Sequence, residues 1–340
     1  MSRTRPISLL ALATVAALGL AGCSAADTAG EAPESTDQEK ASTVSFSWDR
    51  NTAGEDEDPV YEETVVEVPA DPESIVVFDM ASLDTVGALG GEVAGAPLDS
   101  VPDYLTDFLA DDAFNAGTLF EADLLKIEAA QPDLSIIGGR SSGLFDDLSQ
   151  IAPTVDLSIR GSYVETLERN VTVLGEVLGA EDQVEGILTE LNDGIAEAQA
   201  VTADAGTGLG IMVSGGKLSA QAPAGDDATG RNARGGLIYD VFGVTPAIED
   251  VKSATHGEPV SFEFLLEHDP DFLWVMDRDA ATGTEDAQPA AAILDNEIVA
   301  QTTAAKNDQI VYLNPTAWYI VFGGVETTRI MIDDVLQIAE

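Results

Sequence analysis

The chain has 340 residues, of which 61 are acidic and 15 basic, for a formal charge of −46 at pH 7. Such a charge repels nucleic-acid backbones and anionic membrane surfaces, and it makes the placement of the few arginines informative, because an anionic ligand needs a locally positive pocket. With 45% hydrophobic residues the chain has apolar material for two cores, and its one cysteine, Cys23, excludes an intramolecular disulfide and any Cys/His zinc cluster.

Arg3 and Arg5 precede the short apolar run Ile7–Leu20, which ends in Leu20-Ala21-Gly22-Cys23. Residues 1–22 read as an export signal closed by a lipobox, with small residues that admit a signal peptidase and a thiol at Cys23 that takes a diacylglycerol. The run is too short to favour an uncleaved membrane helix. Cleavage removes two bases and leaves a charge of −48. Residues 23–60, rich in Ala, Ser, Thr, Glu and Asp, read as an acidic disordered tether. The folded part is therefore expected outside the cell, lipid-anchored on the extracytoplasmic face of the membrane.

Residues 61–180 are predicted to form an N-terminal lobe. Thr64–Val68 alternates like a strand, Ser74–Phe78 is a buried strand, and Asp79–Leu89 has helical apolar spacing before Gly90-Gly91. Glu92–Ala96 is a short strand, Asp123–Ala130 a helix and Leu134–Ile137 a strand running into Gly138-Gly139-Arg140. Tyr163–Leu178 is an amphipathic helix. Residues 181–203 carry Val184, Ile187, Leu188, Leu191 and Ile195 at helical spacing. Their length of roughly 35 Å suits a bridge between domains.

Residues 204–340 make a second lobe. Leu209–Val213 is a strand, followed by Gly215–Ala220. Gly225–Gly236 is a polar loop holding Arg231 and Arg234, and Leu237–Phe242 begins a helix. Lys252–Gly257 is a loop, Phe262–Glu267 a helix, Phe272–Met276 and Ile310–Leu313 strands, Asn314–Gly324 a loop and Glu326–Ile338 the closing helix. Strands alternating with helices predict an α/β fold of two Rossmann-like lobes. Each is a mostly parallel sheet with flanking helices, joined by the single long helix. No GxGxxG marks a dinucleotide site.

One repeat stands out. Ile127–Arg140 and Leu265–Arg278 both read as helix end, Pro-Asp, buried strand and arginine. Pro132 and Pro270 lie 138 positions apart, as do Arg140 and Arg278. A duplication explains the register, although Pro-Asp before an apolar run is also a common turn. Each arginine then sits at the C-terminal end of a strand, where open α/β sheets bind ligands. The plainer reading pairs each arginine with a nearby acid. Of the two histidines, His268 suits a helix C-terminus as a cation, whereas His256 lies in a small-residue loop, either solvated or functional. Tyr319, after Trp318, is either sheet packing or a site residue. No GxSxG, HExxH or paired base and nucleophile supports catalysis.

The segments Val76–Asp84, Ile136–Ser142, Ile151–Thr154, Gly215–Ser219, Arg234–Asp240, Thr255–Gly257 and Trp318-Tyr319, in this order, resemble the substrate-binding lipoproteins of iron-siderophore ABC transporters. These form part of the Fe/B12 periplasmic-binding group, and the ferric-catecholate branch is the nearest. The resemblance spans Thr64–Leu336. It implies a non-enzymatic, monomeric receptor that holds a ferric siderophore between two lobes and hands it to an ABC permease. It also implies that Arg140, Arg234 and Arg278 contact catecholate oxygens, with Arg231 as an extra contact, and that His256 and Tyr319 complete the iron's coordination. Fe(III) would be cargo borne by the siderophore rather than a permanent cofactor. A glutamate seven residues before each Pro-Asp docks onto the permease in this family. Glu263 fits in the second lobe, but the first-lobe position holds Leu125, so Glu121 or Asp123 would have to substitute. The same fold binding haem, cobalamin or a hydroxamate siderophore, or a surface enzyme on an α/β scaffold, are the alternatives.

Overall fold

The computed structural model describes residues 42–52, 60–223, 234–252, 254 and 256–339. The export signal, Cys23 and Arg231 lie outside the described residues. The described residues open with a ribbon of β1 (Thr43–Asn51) and β2 (Tyr61–Pro69), antiparallel from Thr43↔Pro69 to Asn51↔Tyr61. Phe46 and Trp48, on one face of β1, are buried with Val68 in the first-lobe core. Arg50 bonds Asp146 at 2.7 Å and lies 4.4 Å over the Phe145 ring. The expectation of a tether over 23–60 is therefore corrected at its end. Val44, Phe46 and Trp48 form an alternating apolar face that the acidic composition of the segment obscured.

The first lobe runs β3 (Ile75–Val77), α1 (Met80–Ala88), β4 (Val93–Ala96), β5 (Leu109–Asn115), α2 (Leu124–Ala130), β6 (Leu134–Ile137), the single turn α3 (Phe145–Leu148), β7 (Thr154–Asp156) and α4 (Tyr163–Val177). Its sheet has the order β5-β4-β3-β6-β7, with every pairing parallel. The predicted bridge is α5 (Glu181–Ala203), with Leu191, Ile195, Ala198 and Thr202 buried.

The second lobe continues with β8 (Thr207–Ser214), β9 (Lys217–Ala220), the short α6 (Leu237–Asp240), β10 (Thr245–Pro246), β11 (Glu258–Val260), α7 (Phe262–His268) and β12 (Phe272–Asp277). It is completed by three short helices, α8 (Arg278–Ala281), α9 (Ala290–Leu294) and α10 (Thr303–Lys306), then β13 (Ile310–Tyr312) and α11 (Val325–Leu336). The sheet order is β11-β9-β8-β12-β13, with β10 beside β8. Pairings of β8, β12, β13 and β10 are parallel, and β9 adds an antiparallel hairpin turned by Gly215-Gly216, both at positive φ.

The 138-residue register holds in three dimensions. Asp123 caps α2 by accepting from the Lys126 amide, and Ser261 caps α7 by accepting from the Phe264 amide. Both helices end on a left-handed residue, Gln131 (φ 49°) and Asp269 (φ 40°), immediately before the prolines. The aspartates of the two Pro-Asp pairs do the same work. Asp133 accepts from the amides of Glu73 and Ser74, just ahead of β3, and Asp271 from the amide of Thr207, at the head of β8. Each therefore pins the start of a neighbouring parallel strand, which explains the motif physically.

The lobes are joined twice. Besides α5, helix α11 returns from the second lobe to α1, where the fully buried Asp84 accepts from the Glu326 amide (2.8 Å), the Thr327 amide (2.8 Å) and the Thr327 hydroxyl (2.6 Å). Burial pushes its carboxyl up to about 6, against the opposing pull of the Thr327 bonds. A carboxyl raised on folding binds its proton more tightly in the native state. Its contribution to stability is full below the unfolded value near pH 4 and is lost as pH rises through about 6. Asp84→Ala strands three donors at the start of α11, and the expected cost is about 2–3 kcal/mol. Thermal unfolding should show a lower Tm for this variant and a weaker fall in Tm between about pH 4.5 and about pH 7 than in the wild type. An unchanged Tm and an unchanged pH slope would contradict the clamp.

Candidate functional site

Both arginines singled out by the repeat sit at a topological switch point. In the first sheet the strand order reverses between β3 and β6, and Arg140 follows β6 in a 3₁₀ turn (Gly139–Leu144). In the second it reverses between β8 and β12, and Arg278 opens α8 directly after β12. This is the crevice in which α/β sheets bind ligands. Asp277 and Asp279 flank Arg278, but their carboxylates accept from the Ala280 and Ala290 amides and from the Gly215 amide and Ser214 hydroxyl. The guanidinium is thereby left to bond Ser214 Oγ at 3.0 Å and the Tyr319 hydroxyl at 2.7 Å.

Tyr319 is the centre of the arrangement. Its carbonyl accepts from Arg140 Nη2 at 2.8 Å and from Arg234 Nη1 at 3.1 Å, and the next carbonyl, Ile320, accepts from Arg140 Nη1 at 2.9 Å. Arg234, 2% exposed, places its guanidinium 3.9 Å over the Tyr319 ring. The structure thus brings Arg140, Arg234, Arg278 and Tyr319 together. His256 lines the same cleft from an exposed turn, where its carbonyl accepts from Gln221 Nε2 at 3.4 Å. The cleft has a volume of about 900 Å³, within the range of small-molecule sites. Asp99 and Asp103 also line it, beside the three arginines.

The predicted loop Asn314–Gly324 is corrected here. It contains a π-helical turn, Thr316–Val321, closed by the wide Phe322 N to Ala317 O bond of 2.8 Å. The Asn314 side chain caps it by accepting from the Thr316 and Ala317 amides. Asp334 of α11 accepts from the Asn314 amide at 2.6 Å and from Trp318 Nε1 at 2.8 Å, and burial raises its carboxyl above the usual range. π-turns are rare and cluster at functional sites. Here the turn widens the backbone where two guanidinium groups reach the Tyr319 and Ile320 carbonyls. Asp334, Ser214 and Ile320 were not legible as site residues, because their roles come from backbone geometry and from a helix distant in sequence.

The two lobes also present matching outer helices. Glu263 and Leu125 are both the second residue of their helices, and both are exposed, Leu125 to 80%. Asp123 is engaged in capping α2 and pairs with Lys126 at 2.9 Å, whereas Glu121 is exposed just ahead of the helix.

Residues 75–317 match the periplasmic binding protein family. The chain is 33% identical over 335 residues to the petrobactin-binding protein YclQ of Bacillus subtilis, a match covering 97% of this chain and 98% of that protein. Among solved structures it is similar to a TroA-like periplasmic binding protein from Xylanimonas cellulosilytica, at 72% identity and a TM-score of 0.84 over 88% of this chain and 99% of that one. It is also similar to the periplasmic catecholate-siderophore binding protein VctP of Vibrio cholerae, at 31% identity and a TM-score of 0.72 over 80% of this chain and 96% of that one. The chain belongs to the periplasmic binding protein family.

Proposed function

We propose that the protein captures a ferric siderophore of catecholate type in the cleft between its lobes and delivers it to an ABC permease for iron uptake. The observation that carries this reading is the convergence of three guanidinium groups from both lobes on Tyr319, inside a molecule of charge −46. Such a pocket favours a ligand with dense negative charge. Catecholate oxygens bound to Fe(III) supply it, and guanidinium, always charged and planar, bridges adjacent oxygens. Relatives that bind petrobactin and catecholate siderophores support the same class of ligand.

The iron is cargo. A bis-catecholate complex leaves two of the metal's six positions open, and a phenolate from Tyr319 with the imidazole of His256 would fill them, both being donors that Fe(III) accepts. Arg278, donating to the Tyr319 hydroxyl, keeps a fixed positive charge beside that oxygen. A tris-catecholate complex is already saturated and relies on the arginines alone. Lipidation at Cys23 would hold this monomeric receptor at the membrane, and Glu263 on one lobe with Glu121 on the other would meet the permease. As a delivery protein it has no turnover to perform.

Quenching of the three tryptophans, one of them next to Tyr319, provides a binding assay. Arg140→Ala with Arg278→Ala should weaken ferric catecholate binding by at least about 100-fold, since each removes a charge-assisted contact. Unchanged affinity would contradict the assignment. His256→Ala with Tyr319→Phe should weaken bis-catecholate binding about tenfold or more while changing tris-catecholate binding far less. Equal losses for the two complexes would reject the iron-ligand role.

A further inference from the structure

Among the described residues six large hydrophobic side chains are exposed, and of these only Phe120 lines the cleft. Phe120 is 60% exposed on the first-lobe wall, in a cleft that also presents Arg140, Arg234 and Arg278. Leaving an aromatic face in water forgoes burial that the adjacent core would provide, and the neighbouring Leu119 takes that option by packing against the first-lobe core. The exposure of Phe120 is fixed by the backbone. The Thr118 amide bonds the Glu121 carbonyl at 2.8 Å, Thr118 Oγ1 accepts from the amides of Phe120 and Glu121, and Gly117 pairs with Ala122 across the turn. Gly117 has φ +129°, and a Cβ there would meet the Glu121 carbonyl oxygen at 2.3 Å, so the turn is committed to a conformation that holds the ring outward.

We propose that Phe120 is a specificity-determining residue that stacks on an aromatic ring of the bound chelate and selects aryl-bearing iron complexes over aliphatic ones. The proposal rests on the receptor reading given above. An aryl chelate offers a flat apolar face and an anionic edge, and the cleft offers a presented ring and three guanidinium groups to match. An aliphatic hydroxycarboxylate chelate uses the guanidinium groups and leaves the ring idle. The ring therefore acts on the difference between the two classes, which is what specificity requires.

The test titrates the full chain, as wild type, Phe120→Ala and Phe120→Trp, with ferric 2,3-dihydroxybenzoate and with ferric citrate. The alanine variant should bind the aryl chelate roughly 3- to 10-fold more weakly, the effect of losing one aromatic pair. The tryptophan variant should retain wild-type affinity, and the response to ferric citrate, whatever its size, should be the same in all three. Phe120→Ala that leaves aryl binding intact, or that weakens both chelates equally, overturns the stacking role while the receptor reading stands. So does a tryptophan variant as weak as the alanine one. A wild-type chain that binds neither chelate overturns the receptor reading, and this proposal with it.

Discussion

Three guanidinium groups held against one tyrosine are the constraint from which the rest of the site follows. Arg140 and Arg234 share the Tyr319 carbonyl, and Arg278 takes the hydroxyl at the other end of the same residue. Like charges so close repel one another, and carbonyl dipoles and a ring face offset part of that repulsion. An anion entering the cleft lowers the energy of all three at once. The surrounding charge of −46 sharpens the effect, because among the described residues this cleft brings three of the chain's few arginines to one wall.

The fold exists to bring those groups together from distant parts of the chain. A repeated unit of capped helix, left-handed turn, Pro-Asp and strand delivers one arginine to the switch point of each sheet. Two connections then hold the lobes face to face. One is α5, and the other is α11, clamped to α1 by Asp84 and to the π-turn by Asp334. Helix α11 thus serves both lobe packing and the position of Tyr319, so a change on the far side of the helix can be felt in the cleft.

Much of this was legible in the sequence, for identifiable reasons. Helix α5 matched its predicted span because apolar residues recur at helical spacing between clear ends, and the Pro-Asp repeat located Arg140 and Arg278 because its register is strict. His256 and Tyr319 were ambiguous from their local sequence, and the resemblance supplied their roles together with that of Arg234; all three line the cleft. Other features were hidden. Strand β1 sits within an acidic stretch whose composition outweighed its short alternating pattern. The π-turn differs from a loop by its wide hydrogen-bonding pattern, which no residue type encodes. Phe120 looks like any core aromatic until the turn that exposes it is seen, and Asp334 is one acid among 61 until Trp318 and Asn314 are found on it.

The most direct measurement of the central claim is the anomalous scattering of iron in crystals of the protein grown with a ferric catecholate. The account predicts a single strong peak inside the cleft, close to the Tyr319 hydroxyl and surrounded by Arg140, Arg234 and Arg278. A peak on the acidic outer surface, or at the carboxylates of Asp99 and Asp103 with the arginines uninvolved, would contradict it.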